Sequence, residues 1–275
     1  MNRTMITATN TLTQLQKQMD TISNNMANVD TTGYKKKNAT FTDLLFQQFN
    51  NQKNTNLEEN RLTANGIRQG VGAKLAQTQT VMTQGSLKNT ERQLDTAFTK
   101  EGQLYRVLVN NGQDSEVQYT RDGSFYLTPA SENENMLVTK QGYSVLDENN
   151  NPILLNNNVT EYKVSATGTI TAVLPDGSEQ NVDIGVSYVN YSQFLEKKGD
   201  NLYGLPENVE NNEALTDLDG AQREQIAVQQ KALENSNVDM SKEMVNLLST
   251  QRAYQFQSKS ITMADQMMGL VNGIR

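Results

Sequence analysis

The sequence predicts an α+β protein in which an N-terminal and a C-terminal helix, forming a coiled-coil-like pair, flank a mainly antiparallel β domain. Three observations carry that prediction. Apolar residues recur at alternating spacings of three and four through the first thirty positions. A related period returns over the last forty. Between them, short apolar runs alternate with turn signals roughly every ten residues, the rhythm of paired strands.

The N-terminal element comes first. Met5, Ala8, Leu12, Leu15, Met19, Ile22, Met26 and Val29 form one seam, with Thr, Asn, Gln, Lys and Asp between them. Thr and Asn are weak helix formers, so this helix should be firm only when its seam meets a partner. Asp30-Thr31-Thr32-Gly33 then reads as a stop and turn, which gives an assembly helix and turn over residues 1–34. Residues 35–70 read as an extended linker or loop. They are rich in Asn, Gln, Lys and Thr, and the stretch NNQKNTNLEENRLTANG has no apolar period. Within them Phe41, Leu44, Leu45, Phe46 and Phe49 suggest one or two helical turns.

Residues 71–220 read as the β-rich domain. LYRVLV (104–109), EVQYT (116–120), SFYLT (124–128), MLVT (136–139) and TGTITAVL (167–174) are its clearest strands. Asp122-Gly123 predicts a hairpin turn between QYTR and SFYL, and Asn111-Gly112 and Asp176-Gly177 mark further turns. The remaining residues, 221–275, read as the C-terminal assembly segment, with 222–234 leading helically into it. There Met240, Leu247, Tyr254, Ile261 and Met268 stand seven apart. A parallel line holds Ala253, Ala264, Met267, Val271 and Ile274, so the stripe is wide enough for neighbours on more than one side. Asp239 with Glu243 reads as an N-cap and first turn.

Composition removes several classes of chemistry. The 275 residues carry 24 basic and 31 acidic side chains, a net charge of −7, with no His, Cys or Trp. Ser-His-Asp triads, cysteine nucleophiles and Cys/His zinc sites are therefore excluded, and there is no disulfide framework. The acidic balance argues against nucleic acid as a partner. No apolar run approaches the ~18 residues of a membrane span, so no membrane insertion is expected. MNRTMITATN lacks the apolar core of a secretory signal; the chain either stays in the cytosol or leaves by another route. Asp147-Glu148-Asn149-Asn150-Asn151 opens like a calcium loop, but Pro152 replaces the Gly and Asn158 the final Glu, which leaves a surface turn. Glu58-Glu59 and Asp217/Asp219 sit in polar, loop-like sequence and read as solvated surface. Gly70-Val71-Gly72 is too short for a dinucleotide fingerprint. Lys35-Lys36-Lys37 reads as a solvated edge, with phosphate or an acidic partner as the alternative. No catalytic residue, cofactor site or metal site emerges.

Longer strings are more specific. Ser23-Asn24-Asn25-Met26-Ala27-Asn28-Val29-Asp30-Thr31-Thr32-Gly33-Tyr34-Lys35 resembles the N-terminal signature of the bacterial flagellar basal-body rod and hook proteins. YTRDGSFYL (119–127), LVTKQGY (137–143), LDENNNPI (146–153) and LEKKGDNLY (195–203) are similar to the family's central region. Residues 232–268, with the elements S-N-V-D and Q-R-A-Y, resemble its C-terminal helix. The likeness covers most of the chain in the right order. It departs at Asp95–Tyr105, where the family's paired Phe are absent.

Within that family the chain is most similar to the distal rod type. The resemblance implies a non-enzymatic subunit that assembles into a helical, tubular drive shaft carrying torque from motor to hook. It implies export through the flagellar type III apparatus and residence in the extracytoplasmic basal body. The partners are then copies of itself and neighbouring rod and hook proteins. In this reading Leu12, Leu15, Met19, Ile22 and Met26 meet Met244, Leu247, Tyr254, Ile261 and Met268 in the inner helical layer. Asn28, Thr31 and Gly33 form the turn that leaves the helix. The alternatives are a proximal rod or short hook subunit, a rod-associated enzyme acting on the cell wall, and a cytosolic coiled-coil adaptor.

Overall fold

A computed structural model describes residues 2–43, 46–49, 67–70, 73–110, 115–199, 201–206 and 214–273. The chain divides into two compact units, one of Met1–Asn24, Lys37–Gln79 and Ser241–Arg275, the other of Asn25–Lys36 and Thr80–Met240.

The first unit holds the two long helices, α1 (Asn2–Ala27) and α2 (Met240–Gly273). α1 tolerates its many threonines by a local device. The hydroxyls of Thr9, Thr11, Thr13 and Thr21 each donate to the carbonyl four residues back, within the helix itself. The same unit holds β1 (Lys37–Asp43), β2 (Phe46–Phe49), β3 (Ile67–Gly70) and β4 (Ala73–Thr80). β1 pairs with β4 and β2 with β3, as two two-stranded sheets. The helical turns expected from Phe41, Phe46 and Phe49 are therefore a correction: these residues are strand. Thr and Phe favour a pleated surface, and a partner strand further along the chain, Gly70 for Phe46 and Ile67 for Phe49, decides the matter. Leu44, Leu45, Glu58, Glu59 and the Asn111-Gly112 turn lie outside the described residues.

The second unit is built on antiparallel strand pairs. Its centre is β7 (Gln103–Asn110), flanked by β8 (Ser115–Thr120) and by β11 (Ser144–Val145) with β16 (Val186–Val189). Side chains alternate across β7 and both of its faces are buried. Tyr105, Val107 and Val109 join the larger core, with Phe98, Phe125, Leu137, Ile153 and Ile170. Leu104 joins the second cluster, with Tyr119, Val189, Leu195, Tyr203 and Leu215. Phe98 stacks on Tyr105 at 4.2 Å between centroids, and Phe125 meets Tyr105 edge-on at 5.0 Å. Phe98 thus lends an aromatic ring to the core from the segment that lacks the family's paired Phe.

Two expectations change here. Asp122-Gly123 closes no hairpin. β8 pairs with β7 and with β18 (Leu202–Gly204), while β9 (Phe125–Pro129) pairs with β10 (Glu134–Thr139). Gly123 is needed for close approach, since a Cβ there would lie 2.0 Å from the Thr96 carbonyl oxygen. Asp122 caps the bend by accepting from both the amide and the hydroxyl of Ser124. By contrast Asp176-Gly177 does join paired strands, β14 (Thr169–Val173) and β15 (Glu179–Asp183), with Gly177 at φ +84°.

The second correction concerns residues 222–234, which do not lead helically into α2. A 3-10 segment (Gly220–Gln225) is followed by β20 (Val228–Gln230) and β21 (Ala232–Glu234). These pair with β6 (Thr96–Phe98) and β5 (Leu87–Asn89) respectively. The Asp147 loop is a turn built on its own carboxylate, which accepts from the amides of Asn149 and Asn151.

Candidate assembly interface

The predicted seam of α1 is its covered side. Leu12, Leu15, Met19 and Met26 are half-buried and Ile22 is buried, whereas Thr9, Thr13, Gln16, Lys17 and Asp20 are exposed. At the helix end Thr31 donates its hydroxyl to the Asn28 side-chain oxygen, and the Thr31 amide donates to the Asn28 carbonyl. Gly33 stands at φ +67° with its amide donating to the Glu234 carbonyl at 2.7 Å. A Cβ on Gly33 would lie 2.7 Å from the Asp122 nitrogen, so this turn admits no side chain.

On α2 the covered line is Glu243, Leu247, Thr250, Tyr254, Gln257, Ile261, Ala264 and Met268, all buried or half-buried. Four of the five predicted positions lie on it. Met244 lies beside it and is 50% exposed, because the buried side chain in that turn is Glu243. The broad stripe read from the sequence resolves into two. Ala264 belongs to the covered line. Ala253, Phe256, Ser260, Met263, Met267 and Leu270 form a separate exposed line with the same three-and-four spacing. At ~100° per residue the second seam lies roughly 110° round the helix from the first. Phe256, Met263 and Leu270, seven apart, are 70%, 56% and 69% exposed. Single exposed apolar residues need no explanation, but a heptad line of them does.

Sequence reasoning missed a second feature. Lys35, the first residue of the supposed solvated edge, is buried. Its Nζ lies 2.6 Å from Glu234 Oε1 and donates to the Thr83 carbonyl. The other carboxylate oxygen of Glu234 lies 2.6 Å from Arg121 Nε. Glu234 also accepts from the Gly85 amide, and Arg121 donates to the carbonyls of Gln103 and Lys100. Burial favours a neutral Glu234, but Arg121 and Lys35 outweigh it and hold the carboxyl below its ordinary range. Burial and the adjacent Arg121 charge lower Lys35, with Glu234 pulling the other way. Backbone lacing tightens the same place. The Lys36 amide donates to the Asn237 side-chain oxygen, the Val81 amide to the Lys36 carbonyl, and the Asn237 amide group to Val81 and Thr83. Tyr34 is buried alongside, its hydroxyl donating to Asn25 and its ring under the Lys197 ammonium at 3.9 Å.

This knot is built from three of the separate strings that carry the family resemblance. T-T-G-Y-K supplies Gly33, Tyr34 and Lys35; Y-T-R-D-G-S supplies Arg121; A-L-E-N-S-N supplies Glu234 and Asn237. The signal that could have revealed it was present: a charged residue inside each otherwise apolar or turn-forming motif. Asp217 accepts from Ser187, and Asp219 pairs with Arg106 at 2.6 Å. Among the described residues no cluster of acidic side chains has metal-binding spacing.

Comparison with known proteins agrees with the layout. Residues 5–35 match the flagella basal body rod protein family, 105–172 the flagellar hook protein FlgE/F/G D1 domain, and 229–274 the flagellar basal body rod FlgEFG protein C-terminal family. The flagellar hook-basal body complex protein FlhP of Bacillus subtilis is 44% identical over the whole of both chains. The flagellar basal-body rod protein FlgG of Borreliella burgdorferi is 34% identical over all of this chain and 99% of its own, and FlgG of Bacillus subtilis 29% over 98% and 97%. With both terminal segments, the central β region and relatives matched end to end, the chain belongs to the flagellar basal-body rod and hook protein family, as a structural, non-enzymatic subunit of the flagellar rod in the basal body.

Proposed function

We propose that this chain builds the distal part of the rod, self-assembling into the helical tube that passes torque from the motor to the hook. One observation carries the assembly reading: the exposed heptad line of Phe256, Met263 and Leu270 on a helix whose other apolar seam is already covered. Such a helix gains by packing against a second copy, because burial of apolar surface is the dominant favourable term in association. An interface made of two different patches generates a helix rather than a closed pair, which suits a shaft. The predicted assembly residues Leu12, Leu15, Met19, Ile22, Met26, Leu247, Tyr254, Ile261 and Met268 supply the inner seams in this reading. The exposed seam supplies the contact between copies.

Family membership carries assembly with copies of itself and with other rod and hook components. Export through the flagellar type III apparatus is part of the proposal, supported by the resemblance. The distal position is supported by the full-length similarity to proteins named FlhP and FlgG. The test is a clean deletion followed by imaging of isolated hook-basal bodies. Rods that stop short, without hooks, are expected; complete hook-basal bodies would overturn the reading.

A further inference from the structure

The chain has no cysteine, histidine or tryptophan, so methionine is its principal target for two-electron oxidants. It has eleven methionines. Among the described residues only four are exposed, Met240, Met244, Met263 and Met267, at 38–56%, and all four are on α2. Met5, Met19, Met26, Met82, Met136 and Met268 are half-buried. In Met136 the sulfur accepts a hydrogen bond from the Ser144 hydroxyl. Composition and fold together therefore place the exposed methionines, among the described residues, on one helix.

Met263 and Met267 are one turn apart within the exposed seam, between Phe256 and Leu270. A flexible thioether suits a seam that must fit a neighbour, because it fills irregular gaps without a fixed shape. Its weakness is that one oxygen atom turns it into a polar, chiral sulfoxide.

We infer that Met263 and Met267 form an oxidation-sensitive modification site through which hydroperoxides block docking of a second copy. The inference rests on the assembly reading of that seam. The thioether sulfur attacks the terminal peroxide oxygen. The O–O bond breaks, an S=O bond forms, methionine loses two electrons, and the hydroperoxide is reduced to an alcohol or, for hydrogen peroxide, to water. Free subunits present both sulfurs to solvent. Subunits within a rod bury them, so the modification acts on the protein before assembly and not after.

The test treats the soluble full-length chain, and separately isolated hook-basal bodies, with hydrogen peroxide, and maps oxygen addition by peptide mass spectrometry. Met263 and Met267 should oxidise well before Met82 and Met136 in the free chain, and should be protected in the basal bodies. The concentration needed for self-assembly should rise about tenfold, the size expected from burying an unpaired polar group. A Met263→Leu/Met267→Leu chain, whatever assembly concentration it starts from, should show the same concentration after peroxide as before it. Equal oxidation rates at all sites, no protection in basal bodies, or unchanged assembly of the oxidised chain would each overturn the inference and leave the rod reading standing. Absence of this chain from isolated basal bodies would instead overturn the rod reading, while the order of oxidation in the free chain would still report on the site.

Discussion

The knot around Glu234 and the outer seam of α2 solve opposite problems. At the knot, three charges are buried and every one has partners in the same chain: Lys35, Arg121 and the Gly85 amide on Glu234, and carbonyls on both cations. At the seam, large apolar side chains face outward. The first is complete in a single copy; the second is not. The contrast separates what this protein needs in order to fold from what it needs in order to assemble.

Breaking the knot from one side should have the largest effect on folding. Glu234→Leu leaves two buried cations without their shared anion and should cost about 3–5 kcal/mol. Thermal or urea unfolding of the full chain measures this. Replacing all three together (Lys35→Met, Arg121→Met, Glu234→Leu) should cost far less, because no uncompensated charge remains. A triple variant as unstable as the single one would mean that packing, not charge, holds this region.

Next in size is the covered seam. Ile22→Ala should lower stability by about 2–5 kcal/mol as a buried side chain is lost, while Phe256→Ala should stay within about 0.5 kcal/mol. Equal losses would erase the distinction between covered and exposed lines.

Acid sharpens the comparison further. The Glu234 carboxyl lies below its ordinary value of 4.5 in the folded chain. Its contribution is therefore fully present above pH 4.5 and is lost as pH falls through the folded value. A stability profile from pH 7 to pH 2 should show this loss, and Glu234→Gln should flatten it. A Gln variant with the same acid dependence would place the titration elsewhere.

The smallest effect on the monomer should come with the largest on the rod. Phe256→Asp should leave melting nearly unchanged and abolish rod assembly and swimming. Leu15→Asp and Leu247→Asp, on the covered lines, should also abolish motility while the unit of Asn25–Lys36 and Thr80–Met240 stays folded. Normal swimming by any of the three would refute the seam assignment.

The terminal helices were legible because a three-and-four spacing depends only on local geometry. The N-terminal seam from Met5 to Met26 could be read residue by residue. Strands β7, β8, β10 and β14 were legible for the same reason, since alternation or a dense apolar run marks each. What could not be read was pairing. Phe41, Phe46 and Phe49 are strand because of paired partner strands, and Asp122-Gly123 looked like a hairpin although its two strands pair elsewhere. Residues 228–230 and 232–234 are strand only because β6 and β5 lie beside them. Lys35 was misread for the same reason: a lysine in a basic run is solvated unless the fold brings a carboxylate to it from far along the chain. The two lines on α2 blurred into one because Ala264 and Met267 are nearly adjacent in sequence and differ only in what covers them.

Lys35 and Glu234 are 199 positions apart. A chain threaded through a narrow conduit, whichever end leads, cannot bring those two residues together until almost all of it has emerged. In the export proposed above, a partly delivered subunit therefore has no way to close this buried ion pair, and the pair would serve as a completion check.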